Sequence, residues 1–301
     1  MIRLTKKAKT KITVTVGLCI KNSEKTVKKA VESIINQKYP TELMEIIVVD
    51  GGSKDRTMSI VTRMISKIDI PTKVYFDEGK GLGAARQIVV DNANGKYILF
   101  VDGDVEVPND FVQRQVDFME KNSRVGIAVG KYMYKEGTLI ATLQNLYSYM
   151  TEFVGNDATI YRAEALRQVS GFDENIKGAF EDLDIMARLR VRGWELHINE
   201  KAKFYHNPRE NWGALWIEQE WSGYGGHYFR HKHRDSITPF TLWQKVPLIT
   251  FVGTLKLAIK AYKSLHQSKS FLMPFLFSFR TVPWWFGFAR SHINGYGHET
   301  S

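Results

Sequence analysis

The sequence predicts an α/β fold with a mostly parallel β-sheet flanked by helices, followed by a C-terminal helical region. From residue 12 to residue 104, short β-rich apolar runs alternate with amphipathic runs of about 10 to 15 residues, which is the pattern of βαβ units. The run MEIIVVD (44–50) is short and apolar, as a parallel strand covered on both faces usually is. From about Trp212 onwards the chain is aromatic, basic and helical in its spacing.

The individual elements follow from the hydrophobic spacing. The predicted strands are residues 12–20, 44–50, 72–78, 96–104 and 125–133, with an extended segment at 194–206. The predicted helices are residues 22–37, 57–68, 82–93, 181–193 and 246–265. In the first helix, apolar residues recur at helical spacing and Ser23 is the expected N-cap. The change of pattern predicts an N-terminal domain, residues 1–212, and a C-terminal helical region, residues 213–301.

Composition limits the class of protein. With 44% hydrophobic and 25% charged residues among 301, the chain has the composition of an ordinary globular protein. Its single cysteine, Cys19, excludes an intramolecular disulfide and a cysteine-rich zinc site. The basic first residues lack the apolar core of a secretory signal. We therefore expect a cytoplasmic protein.

The net charge of +10 and the C-terminal region suggest contact with something anionic. In the predicted helix 246–265, Lys256, Lys260 and Lys263 accompany a mostly apolar sequence, as in helices that lie at a membrane surface. Packing against the N-terminal domain and a homodimer interface are the alternatives. The longest apolar tract, residues 271–289, contains one arginine and two prolines, so we expect no membrane-spanning helix.

Asp102 and Asp104 lie one residue apart at the end of the predicted strand 96–104. Two carboxylates this close repel each other, so a cation is expected beside them. In an extended segment both side chains face one side, and their oxygens suit Mg²⁺ or Mn²⁺ together with substrate phosphates. An EF-hand is excluded because its sixth loop position would be Val107 rather than glycine. An acidic, solvated turn is the alternative.

Two glycine-containing segments follow other predicted strands. VVDGGSKDRT (48–57) places Asp50 and Gly51 at a strand end, where Asp50 can accept hydrogen bonds from a base or ribose. The alternative is a turn in which Asp55 caps the next helix. GKGLGAAR (79–86) combines glycines that allow close approach to phosphate with positively charged side chains. Its spacing differs from both the dinucleotide-binding fingerprint and the Walker A loop.

Acidic residues also cluster at the start of the predicted helix 181–193. Glu181, Asp182 and Asp184 would stabilise the positive end of the helix dipole in any case. The functional alternative is that one of these carboxylates acts as a general base toward an acceptor hydroxyl.

In their order along the chain, these segments resemble the family-two glycosyltransferases with the GT-A fold. The resemblance covers roughly residues 12 to 206. It rests on VGLCIKNSEKTVKKAVESIINQ, VVDGGSKDRT, GLGAARQ, FVDGDVEVP and GFDENIKGAFEDLDIMARLRVRGW. A late Gln-x-x-Arg-Trp element of many relatives is matched only by Gln219 and Trp221, which disfavours the polymer-synthase subgroup.

The resemblance implies a role for each matching residue. On the donor side, Asp50 would contact the base or ribose, with Gly51 where many relatives carry a second acid. Arg86 would lie near the ribose or diphosphate, and the preceding loop adds two donor-binding residues, Lys80 and Gly81.

The remaining roles concern metal binding and catalysis. Asp102 would face the ribose and the metal, Asp104 would bind the metal directly, and His206 would lie near the metal or diphosphate. Asp182 would be the catalytic base, with Glu181 as its acidic neighbour near the acceptor.

The implied activity is metal-dependent, inverting transfer of a sugar from a UDP-, GDP- or dTDP-linked donor to a hydroxyl or lipid-linked acceptor, with Mn²⁺ or Mg²⁺ as cofactor. Synthesis of a polyprenyl-phosphate sugar is one alternative, and peripheral contact with the cytoplasmic face of the membrane would suit it. A sugar nucleotidyltransferase is another, although its usual early glycine-rich basic loop is absent. A nucleic-acid-binding protein is disfavoured because acidic groups at the strand ends repel a phosphate backbone.

Overall fold

The computed structural model describes residues 11–151, 155–234 and 245–295. Within these residues there are eight strands: β1 (Val14–Ile20), β2 (Met44–Asp50), β3 (Thr72–Phe76), β4 (Tyr97–Val101), β5 (Val105–Glu106), β6 (Val125–Tyr132), β7 (Ala158–Arg162) and β8 (Glu195–His206). They form one mixed sheet in the order β3-β2-β1-β4-β7-β6-β8-β5.

The helices of the same residues cover both faces of the sheet and continue beyond it. They are α1 (Val27–Ile35), α2 (Thr57–Ile65), α3 (Leu82–Asn92), α4 (Phe111–Lys121), α5 (Leu139–Thr151), α6 (Ala163–Gln168), α7 (Glu181–Val191), α8 (Trp212–Lys232), α9 (Pro247–Leu265) and α10 (Met273–Ile293). The predicted α/β fold with a C-terminal helical region is confirmed.

Four of the eight strands form one parallel group, and they are the first four strands that the sequence predicted. β3, β2, β1 and β4 lie side by side, and all three pairings are parallel. Their carboxyl ends therefore meet at one edge of the sheet, which is where ligands bind in open α/β sheets. Asp50 lies at this edge, in register with Ile20 of β1 and Phe76 of β3.

β7 makes the sheet mixed. It runs antiparallel to β4 on one side and to β6 on the other, and β6 pairs in parallel with β8. Because β7 runs in the opposite direction, its first residue, Ala158, lies beside Val101 at the end of β4. The residues just before β7 therefore reach the same edge as the residues just after β4.

The sheet is buried between two helical layers. On one face, α1, α2 and α4 pack on alternate residues of the strands, including Val16, Leu18 and Leu99. On the other face, α3, α6 and α7 pack around Ile47 and Phe100. Every residue of β1, β2, β4 and β7 is buried, so the central strands are covered on both faces as predicted for 44–50.

The C-terminal helices form a third apolar cluster with α5. Residues of α5, α8, α9 and α10 share this core. α8 and α10 approach so closely that a Cβ atom added at Gly223 would lie 1.9 Å from the Trp284 carbonyl oxygen, and one at Gly287 1.8 Å from that of Glu220. Of the helices in the described part of the chain, none is long and apolar enough to cross a membrane.

Several predicted boundaries were wrong. α1 begins at Val27 with Thr26 at the N-cap. Ser23 is not the cap, because its hydroxyl donates to the Lys21 carbonyl (3.1 Å) rather than accepting from a helix amide. The third strand ends at Phe76 rather than at 78, because the Asp77 carboxylate accepts from the amides of Gly79 and Gly81 and bends the chain.

Candidate active site

The segment after β4 is a turn rather than the predicted extended chain. The Val105 amide donates to the Asp102 carbonyl (3.0 Å), so the chain reverses at Gly103. A Cβ atom at Gly103 would lie 2.9 Å from Ile20 Cγ2, which explains the need for glycine. The prediction that Asp102 and Asp104 share a face because the chain is extended was therefore wrong. The turn gives the two carboxylates different neighbours.

Arg86 joins two of the predicted acidic residues. Its Nη2 donates to both carboxylate oxygens of Asp102 (3.1 Å each), and its Nη1 contacts Glu181. Arg86 is only 1% exposed and Glu181 only 3%. Burial raises the pKa of Asp102 to about 7 and that of Glu181 to about 8, although Arg86 opposes both shifts. A single guanidinium thus faces two buried carboxyl groups.

Asp104 faces two other cations. His206 Nε2, at the end of β8, lies 3.5 Å from Asp104 Oδ1, and Arg209 Nη1 lies 3.4 Å from Oδ2. Burial alone would lower the pKa of His206, but the Asp104 carboxylate outweighs it and raises that pKa to about 9. Likewise, these two cations outweigh burial and lower the pKa of Asp104. The structure thus brings together three predicted residues, Asp102, Asp104 and His206, at one edge of the sheet.

Asp157 is a carboxylate of this edge that the sequence prediction missed. It directly precedes β7, and its carbonyl accepts from the Asp102 amide (3.0 Å). Burial raises the pKa of Asp157, and the charges of Asp104 and Asp182 add to the shift while His206 opposes it. The sequence feature that could have indicated Asp157 is an Asn-Asp pair directly before the apolar segment ATIYR. This pair is informative only once that segment is known to be a strand.

Arg209 and Arg280 are two further cations near this edge. Arg209 connects Asp104 to Glu218, with its Nε 3.4 Å from Glu218 Oε2. Arg280 of α10 interacts electrostatically with Glu218 and, with the Gln219 amide oriented for hydrogen bonding, donates to its oxygen (2.8 Å). A cation beside Gln219 is thus supplied by a distant part of the sequence. Local spacing could not have revealed it.

Asp182 lies at the beginning of α7, beside the carboxylate cluster. Its Oδ1 accepts from the Leu183 amide (2.7 Å), and burial raises its pKa. The preceding residue, Phe180, has a positive φ of 87°, which is rare for a bulky side chain and is held here by packing against Phe229. This conformation directs the first turn of α7, with Glu181 and Asp182, toward Arg86.

Asp50 lies at the same sheet edge but does not touch the carboxylate cluster. β1 separates β2 from β4, which places the ends of these strands about 10 Å apart. Asp50 is 3% exposed and accepts from the Ser53 hydroxyl (2.5 Å) and amide (3.0 Å). The Gly51 amide donates to the Ile20 carbonyl (2.8 Å). In this conformation the Asp50 carboxylate shapes its own loop.

The glycine-rich segment 79–86 follows β3, the outermost strand on this side of the sheet. Asp77, a buried aspartate that the sequence prediction also missed, anchors the loop through the amides of Gly79 and Gly81. Gly81 has a φ of 116°, a conformation that favours glycine. The Lys80 side chain is exposed, with its Nζ 3.8 Å from Glu78. An aspartate thus ends β2, and aspartates directly follow β3 and β4.

The donor set fits a hard divalent cation. Three carboxylates, those of Asp102, Asp104 and Asp157, influence one another electrostatically, and burial raises the pKa of two of them. A dication beside them would offset this repulsion, and carboxylate oxygens with one imidazole are ligands that Mn²⁺ accepts. The chemistry of these side chains therefore suits a metal ion together with a phosphate-bearing ligand at the strand ends.

The fold and this edge together define a GT-A type nucleotide-sugar transferase, and comparison with known families supports the assignment. The chain matches the model described as Glycosyl transferase family 2 over residues 15–172, and that of Glycosyl transferase family group 2 over residues 97–290. It belongs to glycosyltransferase family 2, which confirms the resemblance seen in the sequence.

Curated relatives share parts of the chain. An uncharacterized glycosyltransferase of Haemophilus influenzae is 33% identical over 144 residues, which are 46% of this chain and 56% of the relative. The poly(ribitol-phosphate) beta-N-acetylglucosaminyltransferase TarS of Staphylococcus aureus is 28% identical over 200 residues, 63% of this chain and 34% of the relative. The minor teichoic acid biosynthesis protein GgaA of Bacillus subtilis is 26% identical over 219 residues, 67% and 48% respectively. The chain thus spans from about a third to just over half of these relatives.

Solved structures share the fold. The mannosyltransferase PcManGT of Pyrobaculum calidifontis, in complex with GDP-Man and Mn²⁺, has a TM-score of 0.65 at 15% identity, covering 93% of this chain and 87% of the other. S. aureus TarS 1-349 in complex with UDP-GlcNAc has a TM-score of 0.56 at 18% identity, covering 94% and 92%. These likenesses confirm the GT-A fold.

Proposed function

We propose that the protein transfers a sugar from a nucleotide diphosphate sugar to a hydroxyl acceptor, with inversion at the anomeric carbon. The observation that carries this proposal is the cluster of Asp102, Asp104, Asp157 and His206 at the strand ends, with Asp182 beside it at the start of α7. This cluster would combine a site for a metal and a diphosphate with a carboxylate able to take a proton.

The donor would lie along the carboxyl edge of β1, β2 and β4. Asp50 would exchange its hydrogen bonds with Ser53 for bonds to the base or ribose, with Gly51 beside it. Lys80 and Gly81 would flank the nucleotide, and Arg86 would keep Asp102 oriented toward the ribose. Two structures with the same fold hold such donors, GDP-Man and UDP-GlcNAc, which supports a nucleotide-linked sugar without choosing between bases.

Asp102, Asp104 and His206 would hold Mn²⁺ or Mg²⁺, and Asp157 would add negative charge beside them. When bound, the metal would offset the charge of the departing nucleotide diphosphate. His206 would have to give up the proton that Asp104 now stabilises before its Nε2 binds a cation. Arg209, already between Asp104 and Glu218, would supply a further positive charge to the diphosphate.

Asp182 would accept the proton of the acceptor hydroxyl. Burial raises its pKa, which makes the carboxylate a stronger base, while Arg86 keeps the neighbouring Glu181 engaged. Attack by the acceptor from the face opposite the leaving diphosphate is a single displacement. The anomeric configuration of the sugar would therefore be inverted.

The test is the variant Asp182→Asn. After a screen of UDP-, GDP- and dTDP-sugars with Mn²⁺ or Mg²⁺ has identified the donor, we expect Asp182→Asn to bind it normally. Donor hydrolysis, in which water replaces the acceptor, should fall by about 10²- to 10⁴-fold, the usual contribution of a general base. Asp69→Asn, at an exposed aspartate after α2, is the matched control. Unchanged hydrolysis in Asp182→Asn would contradict the role of Asp182 as the general base.

The C-terminal helices would bring the enzyme to an anionic membrane surface. On α9, Leu248, Val252, Leu255, Ile259 and Tyr262 are exposed and recur at helical spacing, so they form one apolar stripe. The exposed Lys256, Lys260 and Lys263 follow the stripe one residue further along. This arrangement suits lipid headgroups, and it would suit a lipid-linked acceptor such as a polyprenyl phosphate.

A further inference from the structure

Three histidines from two helices meet at the seam between α8 and α10. His227 and His231 lie one turn apart on α8, and His292 lies in the last turn of α10. One ring nitrogen from each falls within 4.8 Å of the others. His227 is 1% exposed, whereas His231 is half-buried and His292 is exposed. One histidine of the group is therefore buried, and solvent can reach the group from the side of His292.

The spacing of one pair of these ring nitrogens matches a tetrahedral metal site. His227 Nε2 lies 3.3 Å from His292 Nδ1. Two nitrogens that each bind a tetrahedral zinc ion at about 2.0–2.1 Å are themselves roughly 3.3 Å apart. A pair of histidines four residues apart on one helix, as His227 and His231 are, presents two imidazoles to one ion in known zinc proteins.

The other ring nitrogen of His227 already has the partner that a metal ligand needs. Ser291 Oγ lies 3.2 Å from His227 Nδ1, and Phe288 packs against the ring with a centroid separation of 4.9 Å. When Nδ1 donates to this hydroxyl, Nε2 carries a lone pair, which accepts a hydrogen bond from His292 or binds a cation. Such outer hydrogen bonds fix the tautomer and orientation of metal-binding histidines.

Two basic side chains that lie within two residues of these histidines in sequence, Arg290 and Lys232, pair with carboxylates. Arg290 Nη1 pairs with Glu220 Oε1 at 2.7 Å, and Lys232 Nζ pairs with Asp173 Oδ2 at 2.5 Å and Asp184 Oδ1 at 2.8 Å. Their charges are thus partly neutralised, which reduces their repulsion of an ion bound by the imidazoles.

We propose that His227, His231 and His292 form a second metal site, for Zn²⁺ or another divalent transition ion that prefers imidazole. A water molecule or a further protein atom completes the tetrahedron. Oxygen ligands dominate the sheet edge and favour Mn²⁺ or Mg²⁺, so the two sites differ in the metals they select. The bound ion joins α8 to α10 close to Lys232 and His233, which hold α7 through Asp184.

The test is cobalt binding by the full chain after removal of metals with a chelator. Co²⁺ is added to Asp104→Asn, which weakens the carboxylate site, and to the same chain with His231→Gln and His292→Gln. We expect the first protein to bind one equivalent with the visible absorption of tetrahedral cobalt, and the second to lose this spectrum. Adding His197→Gln instead, at an exposed histidine of β8, is the matched control and should leave the spectrum unchanged.

Thermal unfolding provides a second measurement. Zn²⁺ in excess should raise the Tm of the Asp104→Asn protein by several degrees and leave that of the histidine variant unchanged, because an ion that binds only the folded state stabilises it. Absence of tetrahedral cobalt absorption in Asp104→Asn would overturn the proposal. So would an equal spectrum in the histidine variant.

Discussion

Asp184 shows how one buried side chain can hold α7 in place. It is fully buried on α7, two residues after the proposed base, and it accepts from Arg188 (2.8 Å) and His233 (2.8 Å), with Lys232 Nζ also at 2.8 Å. Burial alone would raise its pKa, but the hydrogen bond from His233 and the charges of Arg188 and Lys232 outweigh burial and lower the pKa to about 2. The aspartate therefore ties α7 to the end of α8.

We expect Asp184→Asn to lower the free energy of unfolding by about 3 kcal/mol near neutral pH, because Arg188 and Lys232 lose a buried counter-charge and His233 loses a carboxylate partner. The folded pKa lies below the unfolded value of about 3.9, so this stabilisation is present above pH 4 and is lost as the pH falls toward 2. Denaturant titrations of both proteins at pH 7 and across this acidic range measure the difference.

The matched control is Asp110→Asn. Asp110 also pairs with an arginine four residues later, Arg114, but both side chains are over 40% exposed. We expect a much smaller effect there, since exposed ion pairs contribute little. Equal effects of the two substitutions, or a difference for Asp184→Asn that persists at pH 2, would contradict the role of the buried network.

At the scale of single elements, α9 is a helix that exposes a stripe of apolar side chains. Its buried side carries Thr254, Ala258 and Ala261, which face the helical cluster, while Leu248 is 72% exposed. An apolar stripe beside three lysines is costly in water and stabilising at an anionic interface. The stripe belongs to one helix, so it can be altered without changing the carboxylate cluster.

We expect the protein to sediment with vesicles containing phosphatidylglycerol at low salt, and less so as salt is added, because screening weakens the lysine contacts. Leu248→Ser together with Val252→Ser should reduce sedimentation several-fold. Val191→Ser, at an apolar residue of α7 that is 82% exposed, is the control and should have no effect. Equal sedimentation of the stripe variant would contradict lipid contact through this stripe. If the wild type were a dimer in solution and the stripe variant a monomer, the stripe would instead be an interface between copies.

For the whole molecule, the sequence was most informative where pattern and burial coincide. β1, β2 and β4 read as strands because every residue is buried, and the aspartates after β2 and β4 follow directly from those strand ends. β7 was not predicted because it runs directly into α6, so no turn residues mark where the strand ends. Asp157 was missed with it, since its place beside Asp102 depends on the antiparallel pairing of β7 with β4.

Contacts between distant segments of the chain could not be predicted from local sequence patterns either. Arg86 and Glu181 are 95 residues apart, and Arg280 reaches Gln219 from another helix. No spacing rule connects such residues, because their meeting depends on how α3, α7, α8 and α10 pack. The family resemblance predicted residues of the sheet edge and a role for each, whereas the third carboxylate and the extra cations came only from the three-dimensional arrangement.

The proposed cation at the sheet edge is tested most directly by measuring nucleotide diphosphate affinity with and without Mn²⁺. Titration calorimetry with UDP and GDP on the wild type should show that Mn²⁺ tightens binding of the preferred nucleotide by about 5- to 150-fold, the usual range for coupled ligands. In Asp104→Asn this gain should disappear, while Asp69→Asn should retain it. Equal affinity with and without Mn²⁺ in the wild type, or an undiminished gain in Asp104→Asn, would contradict a metal held by these carboxylates.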